Sequence, residues 1–159
     1  MERIWAPWRI EYINEKGAAG CIFCREGDDR ELLVLKRTER TIVQLNRYPY
    51  ANGHLMVVPR RHTADLDALD DAEMLEIFRD VRLCRAALQK TMAPDGFNIG
   101  MNLGRAGGAG VEDHLHLHVV PRWHGDTNCM TVVAETRVLP EALLATYDRL
   151  LPHFDVEAM

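Results

Sequence analysis

Residues 114–121 read His-Leu-His-Leu-His-Val-Val-Pro, three histidines in strict alternation with aliphatic residues. A period of two puts His114, His116 and His118 on one face of a β-strand and Leu115, Leu117 and Val119 on the other. Near pH 7 a neutral imidazole can attack phosphorus, move a proton or bind a metal, so one strand concentrates the chemistry of the chain. At about 3.3 Å per residue the backbones of His114 and His118 stand roughly 13 Å apart. Zn–N bonds of about 2 Å cannot bridge that span comfortably, so the three rings are not the ligands of one metal ion. They have different tasks.

The rest of the chain sets this strand in a mixed fold. Strands are expected at Leu32 to Lys36, Thr41 to Leu45 and His54 to Val58, with a hairpin at Thr38 to Arg40. Pro59 closes the third. Asp70 or Asp71 caps one long helix, whose apolar face is Met74, Ile77, Phe78, Val81, Cys84 and Leu88; Pro94-Asp95-Gly96 stops it. Cys84 belongs to that face as a core residue. A strand at Phe97 to Leu103, a further one at Met130 to Ala134, and a final helix over Leu139 to Leu151 with Leu143, Leu144, Tyr147 and Leu151 on one side complete the pattern. The expected class is α+β, a mainly antiparallel sheet with one long helix and a C-terminal helix.

The 159 residues fit one domain, with residues 1–20 as an aromatic extension (Trp5, Trp8, Tyr12) packing on the domain or on a partner subunit. A net charge of −5 and the lack of any Lys/Arg run exclude a general nucleic-acid binder. No apolar run approaches a membrane span and no secretory pattern opens the chain, so a cytoplasmic protein without membrane contact is expected.

Two further features carry chemistry. Gly104-Arg-Ala-Gly-Gly-Ala-Gly110 leads into the histidines, and glycine lets successive N–H groups converge into an anion site. A flexible connection is the plain alternative; its place beside the histidines favours a phosphate site. Cys21-Ile-Phe-Cys24 has the spacing of half a zinc site, although a redox pair or two buried thiols share it. No strand-then-helix context for a redox pair surrounds it. His62 and His114 are the best candidates to complete a closed Cys₂His₂ centre, hence a structural zinc. His54, His124 and His153 are less diagnostic, and Cys129 has no assigned role.

Together these residues resemble the histidine triad superfamily of nucleotidyl hydrolases and transferases, marked by His-x-His-x-His and two apolar residues. The likeness runs from Asn46 and Gly53-His54-Leu-Met-Val-Val-Pro59 through the long helix to Asn102, the glycine loop and the triad. Trp5-Ala-Pro-Trp-Arg9 and Pro121 to Asn128 resemble the branch that cleaves dinucleoside polyphosphates, including diadenosine tetraphosphate phosphorylases. The resemblance implies a homodimer, an adenine nucleotide or dinucleoside polyphosphate as substrate, no organic cofactor, and a covalent nucleotidyl-histidine intermediate. It makes His116 the nucleophile, sets His118 near the phosphate oxygens and leaving group, and gives Asn46 to the ribose and Asn102 to the phosphates. His114 matches the metal ligand of zinc-bearing relatives, beside Cys21, Cys24 and His62. Many relatives carry a Gln where this chain has Gly110, so backbone N–H groups of Gly108, Ala109 and Gly110 are expected to take its part. Arg105 either attracts an acceptor anion or is a solvated surface residue. Phosphorolysis of diadenosine tetraphosphate to ADP and ATP is the favoured reading; hydrolysis by water, a nucleoside phosphoramidate hydrolase, and a zinc-stabilised nucleotide-binding module with little turnover are the alternatives.

Overall fold

The computed structural model describes residues 20–126 and 139–154. The aromatic N-terminal segment, Cys129 and the strand expected at Met130 to Ala134 lie outside them. Five strands form one antiparallel sheet: β1 (Val34–Arg37), β2 (Thr41–Leu45), β3 (Leu55–Pro59), β4 (Gly96–Met101) and β5 (Leu117–Arg122), in the order β1-β2-β3-β5-β4. Helix α1 (Asp71–Met92) crosses between β3 and β4, and helix α2 (Leu143–Leu150) follows β5.

Asp70 caps α1 through a capping box with Glu73, two reciprocal bonds that satisfy free N–H groups of the first turn. The helix ends at Ala93 in the left-handed conformation, just before Pro94. Its buried face is Ile77, Val81, Cys84, Ala87 and Leu88, packed on Val43, Leu45, Leu55, Val57 and Val119. Phe78, expected on that face, is 53% exposed. It sits about 100° round the helix from Ile77, at the edge of the apolar stripe. Leu144 of α2 is exposed for a similar reason: Thr146, Tyr147 and Leu150 are the buried residues, and the Tyr147 hydroxyl donates to the Val34 carbonyl of β1. Lys36 and Thr41 both engage the buried Asp80, which keys the first hairpin to α1.

The turn from β2 to β3 needs Gly53. Its φ of +76° is in the left-handed region, and a Cβ there would lie 2.7 Å from the Met92 sulfur and 2.9 Å from Leu88 Cδ2. The glycine thereby lets the turn press against the C-terminal end of α1.

The second face of the sheet is covered as well. Phe23 lies in a short 3-10 turn, Ile22–Cys24, and packs with Val34, Ile42, Met56 and Val58. Strands β2 and β3 are accordingly buried along their whole length, and the histidine-bearing side of β5 is interior rather than half-exposed.

Candidate active site and metal centre

Only His118 of the three alternating histidines lies within β5; His114 and His116 precede it. The strand expected over residues 114–121 starts three residues late because its neighbour runs out of donors. The β3–β5 register ends at Val57 opposite Leu117, and two residues further along β3 is Pro59, which has no N–H. Leu115 instead donates its N–H to the Thr63 carbonyl beyond β3. The alternation of side chains nevertheless survives, and all three rings are buried, between 1% and 8% exposed.

Hydrogen bonds assign the protons on these rings. His116 Nδ1–H donates to the His114 carbonyl at 2.9 Å, so Nε2 carries the lone pair. His54 Nδ1 accepts the Tyr50 N–H at 3.1 Å, with the Asn46 amide at 3.3 Å. The proton of neutral His54 is therefore on Nε2, which donates to His118 Nδ1 at 2.9 Å. His118 must then carry its own proton on Nε2, a buried donor with no partner among the described residues. A buried unpaired N–H costs about 1–3 kcal/mol and in a native site marks a place for a ligand acceptor. Both rings are neutral at pH 7. Burial, reinforced by His118 and His116, lowers the pKa of His54 to about 3, and burial with His116 lowers that of His118 to about 4.

His54 is the residue that the sequence undervalued. Its signal was present in Gly53-His54-Leu-Met-Val-Val-Pro59, but its partner is 64 positions away.

Two cavities take in residues expected at the site, and the first of them is lined by a triad ring. That one, of about 400 Å³, is lined by His118, Asn102, Gly100, Tyr50, Asn98 and Arg122. Asn46 lines a second, smaller cavity of about 60 Å³ with Ile22, Arg25, Leu32, Gln44 and Met56. Asn102 thus sits beside His118, and its amide reaches the Gly108 carbonyl at 3.4 Å. The glycine loop differs in detail from the row of free donors expected of it. Gly108 N–H donates to the Arg105 carbonyl and Ala109 N–H to the Gly104 carbonyl, so two of the three expected phosphate donors close the loop on itself. The loop is compact because Gly107 approaches its own start: a Cβ there would lie 2.4 Å from the Leu103 carbonyl oxygen.

Cys21, Cys24, His62 and His114 converge, with their ligand atoms all within 4.8 Å of one another. His114 Nδ1 is 3.2 Å from Cys21 Sγ and 3.6 Å from Cys24 Sγ, and His62 Nδ1 is 3.3 Å from Cys24 Sγ. Tetrahedral ligands at about 2.0–2.3 Å from zinc stand roughly 3.3–3.8 Å apart, which matches this cluster. The outer nitrogens are engaged too: His114 Nε2–H donates to the Pro59 carbonyl at 2.8 Å, and His62 Nε2 faces Asp113 at 3.6 Å. Both rings thus turn Nδ1 inward as ligands, fixed by second-shell acceptors. Burial lowers the pKa of His114 and keeps it neutral, as a ligand must be. The donor set fits zinc, with no position left open for water. Cys84 stands apart from it, fully buried, with its thiol pKa pushed up by burial.

A model of the HIT domain matches residues 29–125. The chain belongs to the HIT domain family. An AP-4-A phosphorylase from Mycobacterium tuberculosis is 36% identical over 157 residues, covering 92% of this chain and 80% of that protein. An adenosine 5'-monophosphoramidase from Schizosaccharomyces pombe is 30% identical over 103 residues, 64% of this chain and 74% of that protein. Among solved structures, a Zn-bound histidine triad family protein from Mycobacterium smegmatis superposes with a TM-score of 0.62 at 27% identity, covering 77% of this chain and 83% of that one. Cys21, Cys24 and α2 lie outside the span of the HIT match.

Proposed function

We propose that this HIT protein is a nucleotidyl transferase that cleaves dinucleoside polyphosphates, with His116 as nucleophile and diadenosine tetraphosphate as substrate. The carrying observation is the proton assignment. The His114 carbonyl holds the proton of His116 on Nδ1 and leaves Nε2 free to attack. In the first step the Nε2 lone pair forms an N–P bond to the α-phosphorus and the P–O bond to the leaving nucleotide breaks. That nucleotide departs with the electron pair, while Nδ1–H stays on the carbonyl that stabilises the cationic ring. In the second step phosphate or water attacks phosphorus, water releasing a proton to solvent, and the N–P bond breaks, returning the lone pair to Nε2.

His118 Nε2–H meets the charge on the phosphate oxygens or leaving group. The chain behind it orients and does not relay. His54 Nδ1 is held by the Tyr50 N–H, a peptide donor that cannot surrender a proton, so His54 has nothing to replace what it would pass on. Asn46 is assigned to the ribose and Asn102 to the phosphates, each beside its cavity. Of the loop donors, Gly110 N–H remains for the phosphate chain, since those of Gly108 and Ala109 close the loop.

Zinc on Cys21, Cys24, His62 and His114 supplies no chemistry in this scheme; it would tie the N-terminal turn to the catalytic segment. Phosphate is the proposed acceptor, supported by the AP-4-A phosphorylase name of a relative that spans nearly all of the chain. A homodimer belongs to the same proposal. Among the described residues β4 forms one edge of the sheet and leaves Ile99 45% exposed, the kind of edge that a second copy covers.

Product analysis on diadenosine tetraphosphate tests the reading. ADP plus ATP is expected with phosphate present, and AMP plus ATP more slowly without it. AMP plus ATP at saturating phosphate would replace the phosphorylase by a hydrolase, and no cleavage of any dinucleoside polyphosphate would remove both. On the loop, Arg105→Ala should lower the dependence on phosphate more than it lowers hydrolysis.

A further inference from the structure

The metal cluster and the nucleotide site share a wall. Between the ligands Cys21 and Cys24 lie only Ile22 and Phe23, and each points to a different part of the site. The Phe23 ring is 5.0 Å, centroid to centroid, from the His116 ring and 5.4 Å from that of His114. Ile22, 40% exposed, lines the cavity that holds Asn46, and Arg25, the residue after Cys24, lines it too. The opposite wall is β2 and β3, where Gln44, Leu45 and Met56 are fixed by the sheet. The turn therefore closes the cavity from outside the sheet, and among the described residues it belongs to no strand and to no helix longer than three residues. A third link runs through His114, whose ring is a ligand and whose carbonyl holds the proton of His116.

Resting on the nucleotide reading above, we infer that the Cys21–Arg25 turn is a metal-held wall of the nucleoside subsite, so that metal occupancy sets nucleotide affinity through Ile22 and Phe23. Without the ion the two ends of the turn are released, and a nucleoside must order Ile22 and its neighbours as it binds. Ordering a few side chains at a binding surface weakens binding; fixing them beforehand strengthens it. The expected effect is about tenfold in AMP affinity, the cost of ordering one or two side chains at the binding surface. The bound ion thus acts on the substrate site and does more than hold the chain together.

The test uses the full-length protein with AMP as probe, because AMP is not turned over. Calorimetry compares the zinc-loaded protein, the chelator-treated protein and the protein reloaded with zinc, with zinc counted by elemental analysis and folding followed by circular dichroism. Chelation should weaken AMP binding about tenfold and reloading should restore it. Zinc-loaded Ile22→Ala should keep its metal, bind AMP several-fold more weakly, and show a zinc effect of less than twofold, because the wall through which the metal acts is cut back. Equal AMP affinity in loaded and metal-free folded protein would overturn the inference, as would a full tenfold zinc effect in Ile22→Ala. If chelation unfolds the chain, the zinc-loaded pair decides alone, and wild-type affinity in Ile22→Ala sinks the inference. Failure of the loaded wild type to bind any AMP would instead overturn the nucleotide reading itself.

Discussion

His118 is oriented by a residue behind it, His54. Because the Tyr50 N–H fixes His54 and His54 fixes His118, the proton assignment on which the proposed mechanism rests depends on a side chain able to donate at the place of His54 Nε2. Gln at that position can present an amide donor to His118 Nδ1, and Leu cannot. His54→Leu should therefore lower kcat by about 10- to 100-fold, the cost of an unsatisfied, misoriented ring at about 1–3 kcal/mol. His54→Gln should retain most of the rate; equal losses in the two variants would mean that His54 serves packing alone. The same pair also sets a pH dependence. Both folded-state values, about 3 and about 4, lie below the ordinary 6.5, so below 6.5 the unfolded chain binds more protons than the folded one. The stability they contribute is complete above pH 6.5 and is lost as the pH falls towards 4, by roughly 3 kcal/mol for His118 at about 1.4 kcal/mol per unit. Urea unfolding at pH 7 and pH 5 should show this fall, and His54→Gln should show a shallower one. The pattern of alternating histidines and the Asn46 motif were legible from sequence because they are local. The tautomer chain was not, since it is made by contacts across the sheet.

At the scale of elements, two glycines separate stability from function. Gly53→Ala combines a left-handed φ with contacts under 3 Å to Leu88 and Met92, and should destabilise the protein by about 1–3 kcal/mol in denaturant unfolding. Gly107→Ala forces apart an exposed loop at its closest backbone approach, so turnover should drop while the melting temperature moves little. A large thermal shift in Gly107→Ala would place that loop in the stability core instead. Strand and helix positions were readable to within a few residues, because turn and cap residues such as Asp70, Pro59 and Pro94 punctuate them. The late start of β5 was hidden, for it depends on Pro59 falling opposite Leu115 when the β3–β5 register is continued. Nor could composition foretell that Gly108 and Ala109 spend their N–H groups inside the loop.

For the whole molecule, the metal cluster joins three separate segments: the turn before β1, the chain after β3 and the chain before β5. Binding there is folding free energy, since the unfolded chain offers no such cluster. Elemental analysis should find about one zinc per chain on this four-ligand arrangement. Chelation or Cys21→Ser should lower the melting temperature by several degrees, about 2–4 °C per kcal/mol for a chain of this size. A metal-free protein whose melting point ignores both treatments would remove the site. The Cys-x-x-Cys spacing made the half-site visible beforehand, and the two histidines that complete it were identifiable as candidates. What the sequence did not disclose is that Phe23, between the cysteines, lies against His116 more than ninety positions away.

Covalent capture on His116 bears most directly on the account. Wild-type protein mixed with diadenosine tetraphosphate, quenched in alkaline denaturant to preserve an acid-labile N–P bond, can be digested and mapped by mass spectrometry. The account predicts an adenylyl group on His116 in the wild type, none in His116→Ala, and AMP binding largely retained by the variant. Turnover by His116→Ala at near wild-type rate, or an adenylyl group carried by another residue, would contradict it.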